Sequence, residues 1–560
     1  MKPALLLIAV VAALFVFYLG VELRQNHEPG FPLDDPWIHL TFSRNLARGA
    51  GFGLNPHEPV AGSTAPLWTL LLTLPSLLFA GPVAMVIIAK AMAAAFLALA
   101  AFFALRIGTH LTNSRWSGLG CGLAVATLAP MGWAIMSGME VTLSAALTLA
   151  AIDQYLRHTE GWRAAAGWVL AGIAAWARPE CMLLGCFFVL DTAIRRIAFR
   201  KPVMFWRGLL SWSVALAPLF ALNMVLSGSP LPQTYSAKVG ATGMLAALGG
   251  HNWAQVRGLL LRAGPDYFLG FLVHVWKANP MLVLLLPLGL AFAVLRAVRT
   301  RTSLLLPLLV LLNAPLLGVL APVGGPAYQG GRYIGNLTAI AALVAFLGFP
   351  LVAALLRNRP ARALVLGLVL APTLSNAVVA NIATARNTAA AASSINRMQV
   401  ALGRWLGDNT PAGATVATGD IGAISFFSGR RVIDLVGIAN PEALAARRRS
   451  GSSRAYIERV RPDLLVIFPA SFPEMRDAPY LKAVVYAEVP DNTASEYDFP
   501  VRARVLAGLL LLDLKVAPRA STMVVFRCGW PAAAGRGHAS LGEPASQALP
   551  AGARPALVQA

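Results

Sequence analysis

Charged residues are scarce in this 560-residue chain, at 13% of the sequence, whereas hydrophobic residues make up 57%. Soluble globular domains carry about 25% charged residues, so the composition excludes an ordinary soluble protein. Acidic residues are the scarcer sign, 25 against 46 basic, which gives a net charge of +21. The basic residues lie in short clusters between apolar runs and form no patch with interleaved aromatics, so we expect no nucleic-acid binding. A membrane protein with several spans is the favoured class.

Cysteine is also rare, with four residues in the whole chain. Three of them lie inside apolar runs, and their spacing matches neither a zinc site nor a disulfide framework. They are Cys121, Cys181, Cys186 and Cys528. The N-terminal run "MKPALLLIAVVAALFVFYLG" lacks a small-x-small cleavage site, so we expect an uncleaved anchor instead of a removed signal peptide.

Apolar runs long enough to span a bilayer, about 20 residues at 1.5 Å each, recur as far as about residue 380. The sequence therefore predicts an α-helical polytopic membrane protein with about eleven transmembrane helices. The predicted spans are about 4–22, 82–106, 117–135, 138–156, 163–177, 181–197, 208–226, 279–297, 303–321, 335–356 and 362–380.

Basic clusters occupy nearly every alternate loop. This pattern predicts a protein of the cytoplasmic membrane whose N-terminus lies on the cytoplasmic side. This topology requires that residues 66–81 do not span. That run is short and contains Pro75, so we expect an interfacial or re-entrant helix. Within a membrane domain of residues 1–385, the predicted outer segments are then 23–81, 227–278 and 322–334, and the part after about 381 is extracytoplasmic.

Polar residues on this predicted outer face are few and cluster in four short motifs. A charge near bilayer depth costs about 2.5–3.5 kcal/mol on insertion scales, so it is usually paired or functional. Three alternatives stay open: a structural Glu140–Arg178 pair, snorkelling of Arg332 to the headgroups, and a merely solvated Lys238. Together the charges favour binding of an anionic lipid headgroup. The candidate substrate-binding residues are Glu140 in "SGME", Arg178 and Glu180 in "ARPE", Gln233, Tyr235 and Lys238 in "PLPQTYSAK", and Arg332 and Tyr333 in "GGRY".

Two adjacent carboxylates, Asp34 and Asp35, stand in "FPLDDPWIHL" on the same predicted face. Pro36 suits the first turn of a helix, which predicts Asp35 at the N-cap and leaves Asp34 without a local structural role. A sugar hydroxyl that attacks a lipid-phosphate donor needs a base, and a positioned carboxylate typically contributes about 10²- to 10⁴-fold. The departing phosphate needs no acid, only cations that hold it. We therefore expect Asp34 to be the base.

The order and spacing of these motifs resemble the GT-C superfamily of polyprenyl-phosphate-sugar-dependent glycosyltransferases. The stretch "DDPWIHLTFSRNLARGAGFGLNPHEPVAGSTAPLWTLLL" and the four short motifs carry the resemblance over about residues 31–336. A further likeness in "VATGDIGAISFFSGRRVIDLVGIAN" extends it to about residue 530. Within the superfamily, the chain is most similar to the terminal β-arabinofuranosyltransferase type, although the motifs match the superfamily better than any one sugar specificity.

This resemblance implies a membrane fold with an outward-facing cavity, a catalytic aspartate in the first outer loop and a soluble C-terminal domain. The aspartate matches Asp34, with Asp35 beside it, and an inverting mechanism would use Arg178, Lys238 or Arg332 to hold the lipid phosphate. The following helix contributes His39 and Arg44 as further candidates for substrate binding. The partners would be the lipid-linked donor, a glycan or lipid-linked acceptor, and membrane lipids. Metal dependence stays open, with a divalent metal as the candidate cofactor.

After about residue 386 the composition is typical of a soluble α/β domain that reaches residue 530. One helix-like run is followed by the strand-like runs "TVATGD", "AISFFS", "RVIDLVG", "DLLVIF", "KAVVYAEV" and "TMVVFRC". Asp420 and Asp434 follow such runs, where α/β sites often gather, although a turn or cap role is the simpler reading. We expect this domain to recognise the acceptor. The Ala-, Gly- and Pro-rich tail, residues 531–560, is expected to be disordered.

Two other classes of function compete with a glycosyltransferase. A transporter would also have many helices and rare charges, but it predicts broken helices at the midplane and an internal repeat, and the sequence has neither. A non-enzymatic envelope-assembly protein predicts that Asp34 can be lost without consequence.

Overall fold

The computed structural model describes residues 2–79, 81–201, 203–321, 324–349, 351, 358–475, 478–490 and 520–530. Helices dominate the chain up to residue 409, and a small sheet follows. The first ten helices are α1 (Lys2–Asn26), α2 (Asp35–Ala47), α3 (Pro66–Ser76), α4 (Pro82–Thr112), α5 (Arg115–Ala126), α6 (Ala129–Met136), α7 (Val141–Arg157), α8 (Gly161–Ala177), α9 (Met182–Ile197) and α10 (Trp206–Ser227). The next nine are α11 (Gln233–Lys238), α12 (Met244–Gly249), α13 (Trp253–Gly258), α14 (Gly264–Ala278), α15 (Pro280–Thr300), α16 (Leu305–Leu320), α17 (Gly335–Leu347), α18 (Arg359–Ile395) and α19 (Ala401–Asn409).

A helix lies at each of the eleven predicted spans, which confirms the helical fold class. Five helices of the described chain are long and apolar enough to cross a membrane, and the bent pair α5 and α6 makes a sixth if it counts as one span. Several of these helices turn large apolar side chains outward, as Val16 of α1 and Leu210 of α10 do. A multi-pass membrane protein follows. The full count of eleven and the orientation stay predictions.

Two segments differ from the sequence-based expectation. Residues 227–278, expected as an outer connecting segment, are largely helical, and α14 packs Tyr267, Phe271 and Val275 into the main apolar core. The opposite side of α14 carries Asp266 and Lys277. Because of these charges, the segment is not a uniformly apolar run, and the sequence-based prediction of spans does not include it. Residues 66–76 form the short helix α3, as expected. Its Leu70 and Leu74 are exposed while Trp68 is buried, and its membrane contact stays a prediction.

No break separates the last long helix from the C-terminal domain. α18 continues through a π-helical turn, Asn396–Val400, directly into α19, so the expected boundary near residue 386 falls inside a helix. The five strands are β1 (Thr415–Thr418), β2 (Arg431–Asp434), β3 (Leu464–Ile467), β4 (Leu481–Pro490) and β5 (Ala520–Cys528), and the helices among them are α20 (Gly422–Ser428), α21 (Pro441–Ser450) and α22 (Arg454–Val460).

The strands form one mixed sheet in the order β2-β1-β3-β5-β4. β1 is parallel to β2 and β3, and β5 runs antiparallel between β3 and β4. These strands confirm five of the six strand predictions. The sixth, "AISFFS", is wrong because this run forms the helix α20, whose buried face packs against α2 and α19. The tail at 531–560 lies outside the described residues.

The helix α2 is held between the membrane helices and the C-terminal domain. On one side Ile38 and Phe42 join the apolar core beneath the sheet. On the other side Trp37 packs in a core with Trp68 of α3, and its ring lies 5.0 Å from that of Phe426 in α20. The start of α2 is therefore fixed at the junction of the two parts of the fold.

Candidate active site

The two adjacent aspartates open α2 and face different partners. The helix begins at Asp35, and Asp34 takes the N-cap position without a side-chain cap bond. The expectation that Asp35 is the N-cap is therefore wrong. The backbone of Asp34 already has helical angles, φ −75° and ψ −33°, so the helix starts one residue earlier than Pro36 alone indicates.

Asp34 binds the C-terminal domain. Its two carboxyl oxygens accept hydrogen bonds from the backbone N–H groups of Gly422, at 2.6 Å, and Ala423, at 2.8 Å, at the start of α20. A Cβ on Gly422 would lie 2.1 Å from the carbonyl oxygen of Asp34, so this approach requires glycine. Asp34 thus has a structural partner, which the sequence-based expectation denied it.

Burial raises the pKa of Asp34 to about 8, and the Asp420 carboxylate adds to this rise, although the two backbone N–H groups oppose it. Burial likewise raises the pKa of Asp420, which accepts a 2.9 Å hydrogen bond from the Gln399 amide. Two neighbouring carboxyl groups at the junction between α2 and the sheet therefore disfavour a second negative charge.

This pair predicts a pH-dependent stability. Because the folded pKa of Asp34 exceeds its unfolded value of about 3.9, its contribution is complete below about pH 4 and is lost as the pH rises through 8. We expect the unfolding temperature in uncharged detergent to fall between pH 6 and pH 9. Asp420→Asn should make that fall smaller by removing one carboxylate, and an equal fall in the variant would contradict the pairing.

Asp35 faces a cluster of cationic and aromatic side chains. Arg332 Nη1 donates a hydrogen bond to Asp35 Oδ2, and Arg332 Nη2 donates another to the Tyr333 hydroxyl at 3.2 Å. Burial raises the pKa of Asp35, but the charges of Arg332 and Lys238 outweigh it and hold the pKa below its usual range. The Asp35 side chain is 29% exposed and that of Arg332 only 3%, so a charged carboxylate remains accessible above a buried guanidinium.

A second charged group adjoins the first. Arg178 donates hydrogen bonds to Glu140 and Glu180, so the structural pair that the sequence left open is formed. The Tyr333 ring links the two groups, because the guanidinium carbons of Arg178 and Arg332 lie 5.0 Å and 5.1 Å from its centroid. Arg332 is also paired, with Asp35, and therefore does not extend alone to the lipid headgroups, as one of the alternatives left open by the sequence required.

His39 extends this arrangement into α2. Its Nε2 lies 3.5 Å from Glu140 Oε2, and its Nδ1 lies within 3.2 Å of the hydroxyls of Ser63 and Thr69. Burial lowers the pKa of His39, against the opposing effects of Glu140 and Asp35. A neutral imidazole therefore fixes the geometry next to the carboxylates.

The remaining candidates do not all meet at Asp35. Lys238 affects the pKa of both Asp35 and Tyr333, and its ammonium makes no hydrogen bond or ion pair within the described part of the chain. Gln233 donates to the Gly437 carbonyl at 3.3 Å, and the Tyr235 hydroxyl donates to the Leu320 carbonyl at 3.3 Å. Arg44 binds the Phe426 carbonyl at 2.7 Å and thus faces α20 instead of the cluster.

Sequence reasoning missed three groups at this site. Tyr328 stacks on Tyr333, with ring centroids 6.1 Å apart, and the hydroxyls of Ser63 and Thr69 orient His39. The aromatic pair in "YQGGRY" was a usable signal for Tyr328. The hydroxyls gave none, because Thr69 of α3 and Ser63 just before it reach His39 only when α3 packs on α2.

An apolar cleft begins beside this cluster. Ser63, the partner of His39, and Pro179, next to Arg178, stand at one end of it. Its other walls come from α10 and the following turn, including Leu219, Phe220 and Leu231. The cleft therefore joins a polar cluster to an apolar surface.

The residues present do not favour a divalent metal. The described part of the chain contains no group of three or more His, Cys, Asp or Glu side chains placed to hold one. Asp35, the accessible carboxylate, lies against Arg332 and beside Lys238, whose charges oppose a dication at that oxygen.

Comparison with known proteins places the fold. The chain is similar to ArnT from Cupriavidus metallidurans in the apo state, with a TM-score of 0.53 and 12% identity over 93% of this chain and 97% of that chain. It is also similar to the oligosaccharyltransferase of Archaeoglobus fulgidus, with a TM-score of 0.52 and 12% identity over 88% of this chain and 74% of that chain. These likenesses confirm the GT-C fold.

Other comparisons are less informative. Residues 387–509 match a family described as a domain of unknown function, DUF8728. The mycobacterial arabinofuranosyltransferase AftD has a TM-score of 0.41 and 14% identity, over 93% of this chain and 41% of that chain, and is too distant to bear on the sugar. No curated protein sequence matches the chain.

Proposed function

We propose that this protein is an inverting glycosyltransferase that uses a polyprenyl-phosphate sugar on the outer face of the cytoplasmic membrane. The acceptor is a glycan or another envelope molecule, and arabinofuranose is the first donor sugar to test. The observation that carries the proposal is the accessible Asp35 carboxylate against Arg332, beside Lys238 and the apolar cleft. The shared fold with ArnT and an oligosaccharyltransferase supports the same class of reaction.

The reaction is a single displacement at the anomeric carbon. An acceptor hydroxyl oxygen attacks that carbon, and its proton passes to a carboxylate oxygen. The bond between the anomeric carbon and the phosphate oxygen breaks, and its electron pair remains on the phosphate. Attack from the face opposite the phosphate inverts the configuration. The site must therefore supply one base and cations that stabilise the phosphate.

We assign the base to Asp35 and not to Asp34. Both oxygens of Asp34 are already directed at the N–H groups of Gly422 and Ala423, whereas the Asp35 carboxylate lies in the cationic cluster. A base must come within hydrogen-bond reach of the proton that it takes, and Asp35 has the exposure for this.

Arg332 links donor binding to the basicity of Asp35. Its charge lowers the pKa of Asp35 and so weakens that carboxylate as a base. A donor phosphate that shares the Arg332 guanidinium adds a competing negative charge and reduces this effect. Asp35 therefore becomes a better base when the donor is bound.

We propose that the apolar cleft binds the part of the polyprenyl chain that is next to the phosphate. Its walls, such as Leu219 and Phe220, bury apolar surface, and its polar end at Ser63 and Pro179 adjoins the cluster. The C-terminal sheet covers the other side of α2, where Asp420 stands close to the aspartate pair. We propose that this domain recognises the acceptor.

Substitution of Lys238 tests whether its ammonium group contacts the donor phosphate. Because its ammonium makes no ion pair in the described chain, Lys238→Gln should remove a donor contact without exposing a buried carboxylate. We expect KM for the donor to rise about 10-fold, with a much smaller change in kcat. The matched control is Arg257→Gln, an exposed cation in the same connecting segment, which should leave both constants unchanged. A fall in kcat alone would contradict phosphate binding by Lys238.

The function itself is tested by transfer of labelled sugar from synthetic polyprenyl-phosphate donors by the purified full-length protein. Arabinofuranose and a panel of other sugars serve as the donor arms. Transfer with inversion supports the proposal. Failure of transfer with every donor and acceptor would contradict the proposal and favour a transporter or a non-enzymatic envelope-assembly protein. Uptake of a solute into vesicles that contain the protein would then favour the transporter.

A further inference from the structure

A second cavity lies far from the candidate active site. The helix α4 connects the two regions, since Met85 near its start belongs to the apolar core around α2 and His110 near its end lines the cavity. Those 25 residues of helix correspond to roughly 40 Å. The cavity therefore belongs to the opposite end of the helical bundle, where the basic loops gather.

The cavity contains a buried arginine that makes no direct ion pair within the described chain. Arg195 is only 6% exposed, and its Nε has no hydrogen-bond partner. Within the described ranges, its guanidinium makes no hydrogen bond or ion pair, although it lies near the Asp191 carboxylate and 5.7 Å from the centroid of the Tyr155 ring. Because the neighbouring Asp191 carboxylate already accepts hydrogen bonds from Tyr155, Ser303 and Leu304, the Arg195 guanidinium keeps its hydrogen-bond donors for an anionic ligand.

Arg296 adds a second cation to the same cavity. It lies on the facing helix α15, and its Nε is also buried without a partner. His110 and the hydroxyls of Thr159 and Ser303 complete the polar lining. Two guanidinium groups from different helices, with the Thr159 hydroxyl beside them, match the oxygens of a phosphate ester.

The nearby carboxylates are already occupied. Asp191 accepts hydrogen bonds from the hydroxyls of Tyr155 and Ser303, both at 2.8 Å, and from the backbone N–H of Leu304 at 2.6 Å. Asp153 is ion-paired with Arg106 at 2.9 Å and lies 3.7 Å from Arg157. Neither forms an ion pair with Arg195 or Arg296 in the described chain, so the cavity keeps an excess of positive charge.

We infer that this cavity binds the phosphate ester of an anionic lipid headgroup at the basic face of the protein. The apolar part of its lining, Leu111, Leu156 and Leu306 among others, suits the glycerol and the upper acyl region. Basic pockets between transmembrane helices are known to take such headgroups. This site is independent of the proposed transfer reaction, because it shares no residue with the cluster around Asp35.

The test measures binding to the full-length protein in uncharged detergent by native mass spectrometry and by ligand-induced change of the unfolding temperature. The probes are dioctanoyl phosphatidylglycerol, dioctanoyl phosphatidylcholine and inorganic phosphate. We expect phosphatidylglycerol to bind and to raise the unfolding temperature, and phosphatidylcholine to do neither. Binding of inorganic phosphate that depends on the same arginines would support the anion site but assign it to a soluble source.

The double variant Arg195→Gln/Arg296→Gln should bind phosphatidylglycerol about 10-fold more weakly than the wild type, or weaker still. Arg299→Gln, one turn further along α15 and exposed, is the matched control and should change it little. Because neither arginine makes an ion pair in the described chain, the unfolding temperature of the double variant without lipid should stay close to that of the wild type, which separates lost binding from lost folding. Equal binding by the double variant and the wild type would overturn the inference.

Discussion

Asp35→Asn is expected to lower the rate of sugar transfer by about 10²- to 10⁴-fold, the typical contribution of a positioned general base. The amide keeps an oxygen for Arg332 but cannot take the proton of the acceptor hydroxyl. Donor binding depends on Arg332 and Lys238, which this change leaves in place. The loss should therefore appear in kcat, with KM for the polyprenyl-phosphate donor nearly unchanged.

The control for this result is the neighbouring change Asp34→Asn, because it makes the same substitution one residue away. We expect it to affect the attachment of the C-terminal domain more than the chemical step. The unfolding temperature of Asp35→Asn should fall, because the buried Arg332 guanidinium loses its carboxylate partner and keeps only the neutral amide oxygen and Tyr333, so transfer is measured well below the unfolding temperature of the variant. Full transfer by Asp35→Asn would remove Asp35 from the reaction, and loss only in Asp34→Asn would return the base to Asp34.

The aspartate pair shows where sequence reasoning succeeds and where it ends. The sequence marked both residues as exceptional, because carboxylates are rare in so apolar a chain. It reversed their local roles because the partners that separate them lie 388 residues away, at Gly422, and 297 residues away, at Arg332. Spacing along the chain carries no information about contacts of this range, so only the folded chain distinguishes Asp34 from Asp35.

The same distinction applies to the rest of the fold. Long apolar runs and alternating basic loops predicted a helix at every expected span, because the bilayer length and the positive-inside rule act on local sequence. The run "AISFFS" has strand-like composition but folds as α20, since α2 and α19 bury its apolar face. Lys238 and Arg332 were found by their rarity on one face, and their convergence on Asp35 required the tertiary structure.

Asp34→Asn is expected to accelerate amide hydrogen exchange at Gly422 and Ala423 by about 10- to 100-fold. The carboxyl group accepts both of these N–H groups, whereas an asparagine directs its own NH₂ group at one of them. Loss of one or two such hydrogen bonds costs about 1–3 kcal/mol, which appears directly as easier local opening of α20. Exchange measured by mass spectrometry at one pH, on peptides that cover residues 420–428, reads this opening.

Asp35→Asn should leave that exchange unchanged, so the two variants are expected to give opposite patterns in exchange and in kcat. The arrangement has a physical reason: the helix α2 is held by the domain through Asp34, and the same helix presents Asp35 to the cationic cluster. A catalytic group must be held within about 0.5 Å of its productive position, and one fixed aspartate can position the next. Unchanged exchange in Asp34→Asn would contradict this attachment, and the pH-dependent stability assigned to Asp34 and Asp420 would then need another origin.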